Sequence, residues 1–117
     1  MPEPGFPGRL VDGLPVVTAP AEIDVGNAAQ LRGALLAAAA EHQPVIVVDM
    51  ADTEFLDSTG LNVLVRALKQ AEDDGAELRL VVRAAALHRI LNVTGVASMF
   101  GIYDNVEEAL HAERRLA

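Results

Sequence analysis

The stretch "FLDSTGLNVL", residues 55–64, places an aspartate, a serine, a threonine and a glycine between an apolar run and a helical pattern. Its serine, Ser58, has three candidate roles. It can cap a helix, attack a substrate as a nucleophile, or be the group that another enzyme modifies. Each role needs different neighbours, so the surrounding residues discriminate among them.

The residues around Ser58 do not match the motifs that surround a catalytic serine nucleophile. A hydrolase elbow has the pattern Gly-x-Ser-x-Gly, whereas residues 56–60 read Leu-Asp-Ser-Thr-Gly and lack the first glycine. The triad partner would be His42, His88 or His111, and each falls in or beside a polar helical face, where histidine is usually solvated. The Asp-Ser/Thr-Gly motif of aspartic proteases is not matched either, because an extra residue separates the aspartate from the glycine. We therefore predict that the chain is not an enzyme, and a hydrolase using Ser58 is the weakest hypothesis.

Metal and nucleotide sites are not predicted. Asp49, Asp52, Glu54 and Asp57 are close in sequence, but their spacing does not fit the calcium loop of an EF-hand, which has about 12 residues and a fixed glycine. A solvated acidic loop at the end of a strand explains them better. No glycine-rich phosphate loop and no Gly-Lys-Ser/Thr occurs in the chain, so we expect no cofactor.

The charge balance limits the class of partner. Seventeen Asp and Glu stand against nine Lys and Arg, which gives the 117-residue chain a formal charge of -8. A nucleic acid is excluded as the expected partner because its phosphates need a basic surface, whereas a basic protein face remains compatible. Cysteine is absent, and no stretch approaches the roughly 20 apolar residues of a membrane span. The start of the chain has no secretion signal, so we expect a cytoplasmic protein that does not bind a membrane. We also expect it to be a monomer or a weak dimer.

The first elements are predicted from glycine and proline positions. Residues 1–8 hold three prolines and two glycines, which favours a flexible tail before a domain at residues 9–117. Asp12-Gly13 lies between two apolar stretches and predicts a hairpin turn. Pro15 and Pro20 suggest that the strand after this turn lies at a sheet edge or contains a bulge.

Helices and buried strands then alternate. Residues 27–42 predict a helix, with Asn27 and Gln30 as a capping box and Asp24 as a rival cap. The apolar run "VIVVDM" predicts a strand covered on both faces. Residues 58–74 predict a second helix with an apolar stripe, closed by Gly75. The segments "AELRLVV", "AAALHRILNV", "FGIYD" and "DNVEEALHAERRL" predict a strand, a short helix, a short strand and a last helix.

This alternation predicts an α/β domain. We expect a mixed, mostly parallel sheet of four to five strands with an N-terminal hairpin and about four helices. Arg79 and Arg83 are expected to be solvated at a strand end, and Asp104 with Glu107 to form the capping box of the last helix. Asp57 or Ser58 should cap the helix that begins there. A hydroxyl at this place lies at the ligand-binding edge of the sheet, and a phosphate on it would meet free N–H groups of the helix.

Three segments together resemble the STAS domain of bacterial anti-sigma-factor antagonists. They are "AEIDVGNAAQLRGAL", "FLDSTGLNVLVRALKQAEDDGAELRLV" and "LHRILNVTGVASMFGIYDNVEEAL", and the resemblance runs from Val16 to Leu110. It implies a partner-switching protein. The unphosphorylated form binds an anti-sigma factor, which is itself a serine kinase of the histidine-kinase-like ATPase fold, and the kinase phosphorylates the serine that matches Ser58. A PP2C-type phosphatase reverses the reaction, and ATP and magnesium belong to the kinase.

The resemblance also implies which residues face the partner. We expect a docking face formed by Asp24, Asn27, Asp57, Ser58, Thr59, Gly60 and Asn62. Thr59 is the fallback site of phosphorylation. Asn62 departs from the small residue frequent in relatives at that position, so it is expected to tune the choice of kinase. The alternative function is a non-switching STAS module, which serves as a scaffold or as a subunit of a regulatory, transport or lipid-trafficking assembly.

Overall fold

The chain begins its sheet with a tight hairpin. In the computed structural model, which describes residues 5–113, β1 (Gly8–Val11) and β2 (Leu14–Thr18) are antiparallel, and Leu10 faces Pro15. Asp12 and Gly13 have φ angles of 53° and 81°. Two successive positive φ angles are typical of a type I′ turn, whose twist matches that of the flanking strands. The predicted hairpin is confirmed.

Two expectations for this end of the chain are wrong within the described residues. The tail was expected to be flexible through residue 8, but the Phe6 side chain is buried and the Pro7 carbonyl accepts a hydrogen bond from the Thr18 amide at 2.9 Å. The strand β2 is not at an edge, because it lies between β1 and β4. Pro15 is tolerated there because the parallel ladder to β4 begins one residue later, at Val16.

The predicted parallel sheet is confirmed. Its strand order is β1-β2-β4-β6-β7, where β4 is Val45–Met50, β6 is Glu77–Val82 and β7 is Gly101–Tyr103. All pairs except β1 with β2 are parallel. In β4, alternate residues enter two separate apolar clusters, with Ile46 in one and Val47 in the other. The strand is therefore covered on both faces, as the unbroken apolar run predicted.

Within residues 5–113, four helices cover the two faces of the sheet unequally. The helices α1 (Ala28–Ala39), α2 (Ser58–Asp73) and α3 (Ala85–Val93) contribute to the larger cluster, and α4 (Val106–His111) packs alone on the other face. A short 3₁₀ turn, Val96–Met99, joins α3 to β7. Within the described residues no helix is both long and apolar enough to span a bilayer.

The helix ends show where cap prediction succeeds and fails. Gly75 has a φ of 78°, and the Ala76 amide donates to the Ala71 carbonyl at 2.8 Å, so the predicted glycine cap closes α2. The capping residue of α4 is one residue later than predicted. The Asn105 side chain accepts from the Glu108 amide at 2.8 Å. Asparagine is as good a cap as aspartate, so the spacing alone did not distinguish the two registers.

Gly33 offers a stability prediction. It is exposed in the middle of α1, and a Cβ atom added there would meet nothing within 4 Å. We expect Gly33→Ala to raise the free energy of unfolding by about 1 kcal/mol, because alanine lowers the backbone entropy of the unfolded chain. Gly75→Ala is the matched control: it also has open space, but its positive φ strains alanine, so unfolding in urea should show a loss. A loss for Gly33→Ala would contradict the prediction.

Arg79 is the largest departure from the expected fold. It was expected to be solvated, but it is 1% exposed and lies on the α4 face of β6. Its guanidinium donates to Glu77 Oε2 at 2.9 Å and to the Ala109 carbonyl at 2.8 Å, and it lies 5.8 Å from the centre of the Tyr103 ring. The arginine thus satisfies a carbonyl in the last turn of α4 from inside the protein.

Candidate functional site

Two short strands bring the candidate residues together. The strands β3 (Glu22–Ile23) and β5 (Phe55–Leu56) pair in parallel, with Glu22 beside Phe55 and Ile23 beside Leu56. The ladder continues into the Asp57 amide, which donates to the Ile23 carbonyl at 3.0 Å. Asp24 and Asp57 therefore follow the ends of two neighbouring strands. The separate two-stranded sheet that holds them was not predicted.

Asp57 connects both segments with its two carboxylate oxygens. Its Oδ1 accepts from the Gly60 amide at 3.0 Å, which makes Asp57 the N-cap of α2. Its Oδ2 accepts from the Val25 amide, also at 3.0 Å. The sequence left the cap open between Asp57 and Ser58, and the structure assigns it to Asp57. One side chain thus fixes the start of α2 and the loop after β3.

Because Asp57 caps α2, Ser58 and Thr59 are not needed as caps and lie at the surface. They are the first two residues of α2, and both are exposed. Among residues 5–113 the Ser58 hydroxyl has no hydrogen-bond partner. Since Asp57 already performs the capping, the hydroxyl of Ser58 is available to a reagent from outside.

The loop between β3 and α1 is held by its own side chains. Asn27 Oδ1 accepts from the Asp24 amide at 2.9 Å, and Asn27 Nδ2 donates to the Glu22 carbonyl at 2.8 Å. Asp24 Oδ1 accepts from the Gly26 amide at 2.8 Å. The predicted capping box of Asn27 with Gln30 is wrong, because the Asn27 side chain makes no bond to the helix and turns back onto the loop.

Gly60 lies where the backbone of α2 touches the two-stranded sheet. It is buried, and a Cβ atom added there would lie 2.6 Å from Ile23 Cγ2 and 2.7 Å from Leu56 Cδ1. These distances are too short for any side chain. Gly60 was predicted as a docking residue. In the structure it is buried, and it allows α2 to approach β3 and β5.

This contact gives a second stability prediction. We expect Gly60→Ala to lower the free energy of unfolding by about 1–3 kcal/mol, because the methyl group forces α2 away from Ile23 and Leu56. Urea unfolding followed by circular dichroism measures the loss. Lys69→Gly, at an exposed position inside the same helix, is a control for helix propensity, with an expected cost of up to about 1 kcal/mol. An unchanged unfolding midpoint for Gly60→Ala would show that the helix start can relax.

The histidines for which the structure gives a side-chain contact lie with other residues than Ser58. Within residues 5–113, His88 Nε2 contacts the Val82 carbonyl at 3.1 Å and His111 lies 3.4 Å from Asp12 Oδ2, so neither is hydrogen-bonded to the serine. No group of three or more His, Asp or Glu residues in this described part is arranged to hold a metal ion. Within this described part of the chain, the Ser58 hydroxyl is exposed and no side chain accepts a hydrogen bond from it.

Sequence reasoning missed two kinds of residue here. Val25 and Phe55 are large apolar side chains that are 76% and 46% exposed, and both flank the segment that Asp57 ties together. Thr53 is fully buried and donates to the Pro20 carbonyl at 2.7 Å, which joins the loop before β5 to the loop before β3. No local signal marks Thr53, because its partner is 33 residues away. Val25 was detectable as an apolar residue beside the Gly26 turn.

Comparisons with known proteins identify the family of this fold. A family model described as the STAS domain matches residues 9–109. The crystal structure of an anti-sigma factor antagonist from Mycobacterium paratuberculosis has a TM-score of 0.83 and 31% identity, over 94% of this chain and 93% of that chain. An anti-sigma-B factor antagonist of Listeria monocytogenes is 33% identical over 86 residues, which are 74% of this chain and 75% of its own. The anti-sigma-F factor antagonist RsfB of Mycobacterium tuberculosis is 27% identical over 103 residues, covering 88% and 84%.

Proposed function

We propose, from the premise that the chain belongs to the STAS domain family, that it is an anti-sigma-factor antagonist controlled by phosphorylation of Ser58. Its partner is an anti-sigma factor that is also a serine kinase of the histidine-kinase-like ATPase fold. The unphosphorylated protein binds this kinase, and phosphorylation of Ser58 ends the complex. A PP2C-type phosphatase restores the binding form. On this proposal the protein works in the cytoplasm and performs no catalysis of its own.

The observation that carries the proposal is the exposed Ser58 hydroxyl beside an already capped helix start. Asp57 satisfies the Gly60 amide, so a phosphate on Ser58 does not remove a cap from α2. The remaining N–H groups of the first turn and the positive end of the helix dipole favour negative charge at this place. The fold therefore accommodates the phosphorylated form, as a reversible switch requires.

A partner fitted to neutral Ser58 does not accommodate the phosphate. The group adds about -1.5 to -2 charge at pH 7 and three strongly hydrated oxygens. Asp57 is adjacent, and Asp24 lies in the loop that Asp57 holds, so the docking face already carries two carboxylates. Burying the phosphate beside them in a protein interface makes the free energy of binding less favourable, through desolvation and like-charge repulsion. The complex therefore dissociates.

The docking face contains polar, charged and apolar groups. We assign to it Asp24, Asn27, Asp57, Ser58, Thr59 and Asn62, with Gly60 beneath. The exposed Val25 and Phe55 add the apolar area that an interface core needs. Because the carboxylates of this face are negative, the matching surface of the kinase should be basic, and the formal charge of -8 would speed the encounter.

The test is phosphorylation by purified kinases. We would incubate the protein with ATP, magnesium and each serine kinase of that ATPase fold from the same genome, and locate the phosphate by mass spectrometry. We expect one phosphate on Ser58, added by a kinase that also binds the unphosphorylated protein, and its removal by a PP2C-type phosphatase. A phosphate on Thr59 alone would move the site to the fallback residue. Absence of both binding and phosphorylation with every kinase would overturn the proposal.

A further inference from the structure

A groove between α1 and α2 extends from Ser58 along the surface of the protein. Its volume is about 480 Å³, within the range of roughly 300–1,000 Å³ typical of ligand pockets. Ser58, Thr59 and Asn62 form one end of it, so three residues of the docking face also line the groove. All three are exposed, which means that the groove opens to solvent beside the phosphorylation site.

The charge of this groove is opposite to that of the whole protein. Among residues 5–113, its lining contains Arg32 of α1 and Arg66 of α2 and no carboxylate, although the chain has 17 Asp and Glu. Among the described residues neither arginine forms a hydrogen bond or an ion pair, and both are exposed. Two unpaired cations on facing helices, in a chain of charge -8, mark a local site for a negative group.

The floor of the groove is apolar. It is formed by buried Leu35 and Ile46 and half-buried Val63 and Ala67. Leu36 also lines it and is 55% exposed, so it adds accessible apolar surface to the groove. A group that fits this surface must therefore combine an apolar part with a negative one.

We propose that the groove between α1 and α2 binds an acidic, amphipathic segment of the partner kinase. An apolar side chain of that segment fills the space over Ala67 and Leu36, and a carboxylate pairs with Arg32 and Arg66. This inference rests on the proposed function and names the chemistry of the partner at the same site. Insertion of an amphipathic helix into a groove is a common mode of peptide recognition, with anchors spaced along one helical face.

The continuity between the groove and Ser58 favours a protein segment over a dissolved small anion. A partner that reaches the Ser58 hydroxyl already lies against Thr59 and Asn62, which are also groove residues. Asp24 and Asp57 carry the negative charge of the docking face, and neither is among the described residues that line the groove. The kinase would thus present a basic surface to these two carboxylates and an acidic segment to the two arginines, which fixes the orientation of the complex.

Charge reversal tests the inference with a control on the same helix. Arg66→Glu should weaken binding of the kinase that phosphorylates Ser58 about tenfold or more, measured by calorimetric titration. Lys69→Glu is the matched control. It makes the same change in net charge one turn along α2, at an exposed residue that does not line the groove, and should change the dissociation constant less than about threefold. Equal effects of the two variants would overturn the inference in favour of net charge alone.

A second variant tests the apolar floor without changing charge. Ala67→Leu fills the groove with a good helix former and should also weaken binding about tenfold, while urea unfolding confirms that the protein remains folded. Ser58→Glu, measured in the same titration, separates the two proposals. If Ser58→Glu abolishes binding while Arg66→Glu and Ala67→Leu bind normally, the groove is not used and the proposed function stands. Saturable binding of decanoate in the groove, with normal kinase binding by both groove variants, would instead identify a small-molecule site and overturn the inference.

Discussion

Replacing Ser58 by glutamate should weaken the proposed complex with an anti-sigma factor kinase at least about 100-fold, which corresponds to about 2.7 kcal/mol. The new carboxylate would lie beside Asp57 on a face that the partner must desolvate. Ser58→Ala should bind as tightly as the wild-type protein, because it removes a hydroxyl that has no hydrogen-bond partner among the described residues. It should also accept no phosphate, so it would hold the kinase permanently.

Isothermal titration with the unmodified kinase measures both variants, and sigma-dependent transcription gives an independent readout. Thr59→Glu is the matched control, since Thr59 is also exposed in the first turn of α2. It should weaken binding less than Ser58→Glu. A glutamate at the start of a helix is favourable, so urea unfolding should show no loss of stability for either variant. Tight binding by Ser58→Glu would mean that charge at this residue does not end the complex.

Replacing Arg79 by alanine should lower the free energy of unfolding by about 2–4 kcal/mol, because it leaves a cavity and removes hydrogen bonds of a buried side chain. The change leaves an empty volume beside Tyr103 and removes the donor to the Ala109 carbonyl. It also removes the hydrogen bond of 3.4 Å to the Glu113 carbonyl, beyond the end of α4. Since native domains are stable by only about 5–15 kcal/mol, much of the protein could be unfolded at 37 °C.

Two controls separate burial from charge. Arg83→Ala removes an exposed arginine just beyond the same strand and should change the stability by less than about 0.5 kcal/mol. Arg79→Met keeps most of the volume without the donors and should cost less than alanine, because the cavity is filled. Urea titration followed by circular dichroism compares the three proteins. Equal midpoints for Arg79→Ala and Arg83→Ala would show that the guanidinium contributes nothing to stability.

The sequence predicted the elements whose signals are local. Asp12-Gly13 predicted the hairpin because both residues tolerate positive φ, and the run from Val45 to Met50 predicted a strand with both faces covered. The apolar stripe and Gly75 predicted α2 to within one residue at its end. Hydrophobic period and turn chemistry are properties of neighbouring residues, so they can be read before the fold is known.

Features that depend on distant partners were not predicted. Arg79 alternates with Leu78 and Leu80, which is the pattern of a strand with one solvated face. Its actual surroundings come from Ala109, 30 residues later, and from the packing of α4 over that face. The buried arginine therefore has no local signal that distinguishes it from the exposed Arg83.

In the candidate site, too, local features were predicted from the sequence and long-range contacts were not. Asp57 was read as a possible cap, and it is one. Its second bond, to the Val25 amide, spans 32 residues and depends on the pairing of β3 with β5. Strands of two residues are too short to show a hydrophobic period, so this pairing was not readable from the sequence. The roles of the docking residues and of Ser58 stay predictions until the kinase is tested.

The shared carboxylate of Asp57 has a consequence for the timing of the switch. Because one oxygen holds the start of α2 and the other holds the loop at Val25, the surface around Ser58 is ordered before any partner arrives. Binding then loses little conformational entropy at this face. Association should proceed at a rate set by encounter and electrostatic steering, without a slow ordering step. On the proposed function, a phosphate on Ser58 would then act by shortening the residence time of the complex.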